Sequence, residues 1–303
     1  MKRQFFLTAL ALIISISAVQ AQKGINKVFV NQQWMLDHMG DKNLVILHVG
    51  GKKGYDEGHI EGAQLIGMRD FARSVGNLSW ELHEVDTFTH NLRKFGITNK
   101  SQIVIVNGGS GHAIGFRLYF TLDYFGLGKK TRILDGGLTG WKAKNLATIT
   151  AATEAEMTHE GGLKLKPNTS IKVDREYVKA NSLREDINVI DARRANYYEG
   201  AEDTREHYER SGHVAGAENI CWLDIVDENQ FLKDSDTLKA YYEEAGVEKK
   251  QEVVAYCHVG LRASVIYTMA KALGFKARLY DGSYNEWDTL SEEYPVKTGK
   301  DSN

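Results

Sequence analysis

The chain has 303 residues, 42% hydrophobic and 26% charged, a balance that excludes a disordered polypeptide and a disulfide-dense miniprotein. At roughly 150 residues per domain the length suits two globular domains, each able to bury a core. With 38 basic against 40 acidic residues the formal charge is -2, so the basic surplus of a nucleic-acid binder is missing and no nucleic-acid partner is expected. Two cysteines, Cys221 and Cys257, allow one bridge or none.

The chain opens with Lys2 and Arg3, an uncharged apolar run from Phe5 to Ala18, and small residues in Val19-Gln20-Ala21. That pattern predicts a secretory signal over residues 1–21, cleaved before Gln22. The run is shorter than the roughly 20 residues that span a bilayer. The expected product is an exported protein, periplasmic or secreted, free of the membrane once cleaved, with both thiols in an oxidising compartment.

The remainder repeats itself. A buried strand read at Asn43 to His48, then Tyr55 and the block Gly58-His59-Ile60-Glu61-Gly62-Ala63, is matched by Ile187 to Asp191, Tyr197 and Gly212-His213-Val214-Ala215-Gly216-Ala217. Phe95-Gly96-Ile97 before the strand Ile103 to Val106 is matched by Ala245-Gly246-Val247 before Glu252 to Tyr256. Arg132 to Gly137 with Trp141 is matched by Arg278 to Ser283 with Trp287. The offsets are 143, 154, 150 and 146, which reads as two copies of one domain with loop insertions. Short β-branched runs alternate with helical patterns such as Ala263 to Leu273, predicting an α/β fold in which each copy is a mainly parallel sheet flanked by helices. The expected domains are 25–147 and 172–297. Residues 148–171 lack periodicity, include Pro167 and read as a linker over the surface.

The copies diverge after their central strand. In the second, Cys257-His258-Val259-Gly260-Leu261-Arg262 leads into the helix near Ala263. A tight loop at a helix N-terminus gathers backbone N–H groups and the positive end of the dipole, which stabilise a thiolate at Cys257 and an anion held there. Gly260 lets the backbone curl inward, and Arg262 adds a cation. The bland alternative, a buried structural cysteine, leaves the glycine and arginine spacing without a reason. The first copy runs instead into Asn107-Gly108-Gly109-Ser110-Gly111-His112 and has no cysteine. Ser110 and His112 read as a solvated glycine-rich loop, because no third group is in sight to orient them as a hydrolase pair.

The two Gly-His-x-x-Gly-Ala blocks, the Asp-Gly-x-x-x-x-Trp blocks at Asp135 and Asp281 and the Cys-x-x-Gly-x-Arg loop make the chain resemble a tandem-domain rhodanese, a sulfurtransferase, over nearly all of residues 27 to 295. The resemblance implies two rhodanese-like domains, an inactive first copy that supplies walls of the cleft, and Cys257 as the nucleophile. It takes sulfane sulfur from thiosulfate as a persulfide and passes it to cyanide or a thiol. It implies no cofactor or metal, and a duplicated chain suggests a monomer. His258, Val259, Gly260, Leu261 and Arg262 form the site loop, with Arg262 orienting an anionic donor. Asp191 matches an acidic family position that ties the site together, and Arg193 and Arg194 are expected to add positive potential to the cleft. The sequence departs from the better-known thiosulfate enzymes at Tyr197 and Val259, where they carry basic residues. The loop also differs from the Cys-Gly-Ser/Thr-Gly-Val-Thr/Ser pattern of 3-mercaptopyruvate sulfurtransferases, which favours thiosulfate over that alternative donor. A cysteine phosphatase would separate cysteine and arginine by five residues, not four. An exported sulfur carrier without turnover is the remaining alternative. His59 and His213 recur in both copies and read as structural. Cys221 reads as a packed thiol, with a redox bridge to Cys257 as its functional alternative.

Overall fold

The computed structural model describes residues 22, 24–109, 111–154, 157–158, 162–201, 208–248 and 251–300. The signal read at 1–21 and Ser110 lie outside them. The first copy holds strands β1 (Phe29–Val30), β2 (Leu44–Val49), β3 (Ala63–Ile66), β4 (Arg73–Val75), β5 (Leu78–Glu81), β6 (Gln102–Asn107) and β7 (Thr131–Leu134). Five of them form a parallel sheet in the order β1-β7-β6-β2-β3, while β4 and β5 make a small antiparallel ribbon. The second copy holds β8 (Lys172–Val173), β9 (Ile187–Asp191), β10 (His213–Val214), β11 (Ala217–Asn219), β12 (Glu252–Tyr256), β13 (Lys276–Tyr280) and β14 (Val296–Lys297). Its parallel sheet, β8-β13-β12-β9-β11, repeats the first strand for strand. Among the described residues no helix is long and apolar enough to cross a membrane.

The central strands are continuous apolar runs because helices cover both faces of each sheet. Ile103 to Val106 and Val253 to Tyr256 are all buried. The helices that follow them, Ala113–Tyr124 and Ala263–Leu273, are apolar nearly all round. Such helices need cover on both sides, and each finds it between its own sheet and the other copy. Phe120 meets Tyr267 edge-on with ring centres 5.0 Å apart. Ile105, Phe116 and Phe120 share one core with Val253, Ile266 and Tyr267, whereas the outer faces keep separate cores around Trp141 and Trp287. Asp123 ties the seam, accepting hydrogen bonds from Tyr267 Oη at 2.5 Å and from Lys271.

The described residues of 148–171 run over the surface, most of them exposed, and are pinned to the first copy at intervals. The Ile149 backbone pairs with His59, Leu163 is buried, the Asn99 N–H donates to the Gly162 carbonyl at 3.0 Å, and the Lys164 N–H donates to Asn99 Oδ1 at 2.7 Å. One-off contacts of this kind leave no periodic signal in a sequence.

The repeated histidines hold up the fold in the same way in both copies. His59 Nδ1 donates to the Tyr55 carbonyl at 2.8 Å with the rings stacked 3.6 Å apart, and Tyr55 Oη donates to the Ala63 carbonyl at 2.7 Å. His213 Nδ1 donates to the Tyr198 carbonyl at 2.7 Å with the rings 3.8 Å apart, and Tyr198 Oη donates to the Ala217 carbonyl at 2.8 Å. Tyr198, rather than Tyr197, is therefore the counterpart of Tyr55. The jump in offset from 143 to 154 marks an eleven-residue insertion between Tyr198 and Gly212 in the second copy.

Candidate active site

Cys257 follows β12 at the C-terminal edge of its sheet, and the helix begins at Ala263. Its N–H donates to Ser283 Oγ at 3.2 Å, and its carbonyl accepts from the Tyr284 N–H at 2.9 Å. Gly260 sits at φ +77°, and a Cβ there would lie 2.6 Å from Asp281 Oδ1, so only glycine lets the loop curl this tightly. Among the described residues the N–H groups of Val259 to Ser264 donate to no protein acceptor. That is the orphan-donor arrangement of a helix start, and it favours negative charge.

A cleft of about 410 Å³ opens over Cys257, lined by His258, Val259, Leu261 and Arg262 from the loop and by Tyr197, Tyr208 and Asn285. The loop residues expected from the sequence thus converge, except Gly260, which turns towards Asp281. The Arg262 guanidinium lies 5.5 Å from the Trp222 ring centre. Behind Trp222 stands His112 of the first copy, ring centres 4.8 Å apart, with Nε2 donating to the Trp222 carbonyl at 3.2 Å and Nδ1 bonded to Gln230 at 2.9 Å. Burial holds His112 below the ordinary histidine pKa, and the residue serves the seam between copies. Among the described residues, those that line the cleft all come from the second copy, and the first copy, expected to supply cleft walls, meets the site from behind through His112.

Beneath the cleft lies a buried ion pair. The Arg193 N–H and Nε donate to Asp191 Oδ1 at 2.9 and 3.0 Å, and Nη2 donates to Asp191 Oδ2 at 2.6 Å and to the Gly212 carbonyl at 2.5 Å. Tyr256 Oη donates to the same carboxylate at 2.7 Å, and the Arg193 guanidinium lies 3.9 Å over the Tyr284 ring. Asp191 therefore fixes the strand end from which Cys257 emerges. The expectation that Arg193 lends positive potential to the cleft is corrected: it is fully buried and neutralised by Asp191. Arg194 is exposed and does not line the cleft. Burial pushes the half-buried Cys221 thiol up, against smaller opposing effects that include Arg194 and Arg262. Both cysteines are free.

Sequence reasoning missed Arg117. It projects from the first copy's helix, fully buried, and donates to Asp281 Oδ1 at 2.6 Å, to the Gly260 carbonyl at 3.4 Å and to the Trp80 carbonyl. Lys172 joins at 3.2 Å from Asp281 and 3.1 Å from Glu81, and these cations hold Asp281 below the usual carboxylate range against its burial. A charge inside an apolar helix was the available signal. Tyr208 was missed too, because it belongs to the insertion and has no counterpart in the first copy.

The equivalent place in the first copy is closed. Asn107 Oδ1 accepts the Gly115 N–H at 2.9 Å. The adjoining cavity is only about 10 Å³, lined partly by Val226, Gln230 and Leu232 of the second copy. The Leu232 N–H donates to Asp135 Oδ1 at 2.8 Å, and burial raises Asp135 to about 6. Where the second copy has Asp191, the first has His48, fully buried with neither ring nitrogen bonded; burial, then His59 and Lys142, lowers it to about 4. Among the described residues no cluster of His, Cys, Asp and Glu is suited to a metal.

The rhodanese-like domain model matches the chain twice, at residues 31–144 and 174–290. A 3-mercaptopyruvate sulfurtransferase of Escherichia coli K12 is 27% identical over 90% of this chain and 98% of its own. A putative thiosulfate sulfurtransferase of Mycolicibacterium smegmatis is 27% identical over 87% and 95%. The sulfur carrier protein TtuD of Thermus thermophilus is 27% identical over 87% and 94%. Among solved structures, YnjE shares the fold with a TM-score of 0.79 at 22% identity, over 91% of this chain and 69% of that one. With two matched domains, two identical sheet topologies and relatives covered almost end to end, this chain belongs to the rhodanese family as a tandem-domain sulfurtransferase.

Proposed function

We propose that the protein moves sulfane sulfur from thiosulfate to a nucleophilic acceptor through a persulfide on Cys257. The observation that carries this reading is the placement of the thiol at the floor of a cleft, at the head of a helix whose first N–H groups have no acceptor among the described residues. The Cys257 thiolate attacks the outer sulfur of thiosulfate. A new S–S bond forms, the bond to the sulfonate sulfur breaks, and sulfite leaves with the electron pair. The persulfide's terminal charge then rests among the loop donors. An acceptor such as cyanide takes that sulfur and returns the thiolate.

Arg262, the cation among the described residues that line the cleft, would orient the donor's oxyanion. With His258, Val259 and Leu261 around it, the opening suits a small anion. 3-Mercaptopyruvate is the alternative donor, and a carrier that accepts sulfur and hands it to one partner is the alternative role. Export through the signal at 1–21 and a monomeric state complete the proposal. Intact mass after thiosulfate treatment tests it: a gain of one sulfur, lost on adding cyanide and absent in Cys257→Ser, is expected. No gain overturns the persulfide. Repeated turnover separates an enzyme from a carrier, and a kcat/KM that favours mercaptopyruvate overturns the donor choice.

A further inference from the structure

We propose that His112 of the first copy is a positioning residue for the sulfur donor: it holds Trp222 against the Arg262 guanidinium, so the first copy sets how tightly the site takes an anionic donor and leaves the transfer step to the second. The inference rests on the Cys257 persulfide and on the donor-orienting role given to Arg262 above. Trp222 stands between two fixed points. Its N–H donates to the Ala192 carbonyl at 3.1 Å, one residue past the strand end that Asp191 ties down, and its carbonyl accepts from His112 Nε2 at 3.2 Å. The Trp222 and His112 rings lie 4.8 Å apart between centres, and Phe116, one turn into the helix that His112 precedes, meets the imidazole edge-on at 5.7 Å. The Arg262 guanidinium faces the Trp222 ring at 5.5 Å, so a shift of the indole moves the surface on which that cation rests.

The same imidazole holds the far end of that segment. Its Nδ1 is hydrogen-bonded to the Gln230 side chain at 2.9 Å, and Gln230 sits at φ +67°. That left-handed conformation costs a residue with a side chain free energy and persists only where its surroundings over-determine it. Here they are the Asp227 carbonyl, which accepts the Gln230 N–H at 3.0 Å, and Asp227 Oδ1, which accepts the N–H groups of Asn229 and Phe231 at 2.9 Å each. Asp135 of the first copy takes the Leu232 N–H at 2.8 Å. One side chain of the first copy thus clamps residues 222 and 230 of the second.

The two bonds fix the tautomer. The Trp222 carbonyl can only accept, so the imidazole carries its proton on Nε2, and the Gln230 amide turns its nitrogen towards Nδ1. Burial, which holds the ring below the ordinary histidine pKa, keeps it in this neutral form at neutral pH. The two nitrogens therefore do different work: Nε2 places the tryptophan, and Nδ1 anchors the segment to the first copy.

The test follows sulfur uptake from thiosulfate by intact mass in the full-length protein, giving a half-saturating concentration and a limiting rate. Wild type comes first: no gain of sulfur overturns the underlying persulfide reading, and affinity is then read from calorimetric titration with thiosulfate, which needs no chemistry. An asparagine amide reaches the place of Nδ1 and a glutamine amide that of Nε2, so His112→Asn keeps the Gln230 bond and loses the Trp222 bond, while His112→Gln does the reverse. Each removes the ring and one hydrogen bond, so a merely structural role moves both alike. His112→Asn is expected to raise the half-saturating concentration about fivefold, the scale of one cation–π contact, with little change in the limiting rate, and His112→Gln to stay near wild type in both. Equal shifts in the two variants, or a loss confined to the limiting rate, overturn the proposal. Should neither variant fold, Trp222→Leu decides, since it keeps the carbonyl that His112 holds and removes only the ring: a rise of about the same factor supports the proposal, and wild-type affinity overturns it.

Discussion

The two copies share a sheet order, a stacked Tyr–His pair and a buried tryptophan, yet differ at the three strand-end positions beneath the nucleophile's loop. Beneath Cys257 stand Asp191, Arg193 and Tyr256, joined by hydrogen bonds of 2.6 to 3.0 Å. By sheet register and repeat offset, the first copy has Asn107 over His48, Gly50 and Val106. The parts retained in both copies make the fold; the parts kept in one tie down a strand end beside a thiol. Scaffold and chemistry are therefore separable here, and the comparison can be broken at either.

The largest expected effect is all-or-none. Cys257→Ser abolishes sulfur uptake by intact mass, and adding Asn107→Cys to that variant does not restore it, because the first copy's cradle is closed by Gln230 and Leu232 and lacks the ion pair. Uptake at residue 107 would show that the loop alone suffices. Next, Arg117→Ala leaves Asp281 buried with Lys172 as its remaining ion-pair partner. A loss of about 3–5 kcal/mol is expected from urea unfolding, with slower sulfur uptake in the protein that stays folded; unchanged uptake would confine Arg117 to stability.

A third prediction concerns pH. His48 is lowered to about 4 from 6.5, so the unfolded chain binds more protons between those values and stability falls as pH drops through that window. Asp135 is raised to about 6 from 3.8, so the folded chain binds more protons and the sign reverses. Each contribution is of order ~3 kcal/mol, and they oppose. Asp135→Asn therefore steepens the acid-side loss of stability between about pH 6 and pH 4, read as urea midpoints; an unchanged slope would remove Asp135 from the balance. Smallest, Tyr256→Phe deletes the hydrogen bond to the Asp191 carboxylate and the one Tyr256 Oη accepts from the Val214 N–H, for about 1.5–3 kcal/mol, and a loss below 0.5 kcal/mol, roughly the noise of neutral surface changes, would show that neither bond matters and that Arg193 suffices to hold that carboxylate.

Much of this was legible in the sequence. The strands Ile187 to Asp191 and Glu252 to Tyr256 and the helix Ala263 to Leu273 lie where the apolar runs and periodicity put them, because a strand buried on both faces must be continuously apolar. The Cys257 loop was legible by subtraction, since duplication turned the first copy into a control. Three things were not. Adjacent arginines look alike in a sequence, but in the bend past the strand end Arg193 turns back onto Asp191 and is buried while Arg194 is exposed. Two adjacent tyrosines beside an insertion made Tyr197 look like the partner of Tyr55. Arg117 reaches a site 143 residues away, a distance over which local pattern carries no information.

The core shared by Ala113–Tyr124 and Ala263–Leu273 has a consequence for inheritance. A gene shortened to its thiol-bearing half would encode a protein with Ile266 and Tyr267 facing water and Asp281 stripped of Arg117, a sticky surface over a misaligned loop. A chain without the first copy lacks the cover that this shared core and the Asp281 carboxylate receive from it. The first copy has no cysteine where the second has Cys257, yet its helix Ala113–Tyr124 is part of the surface on which the other helix folds.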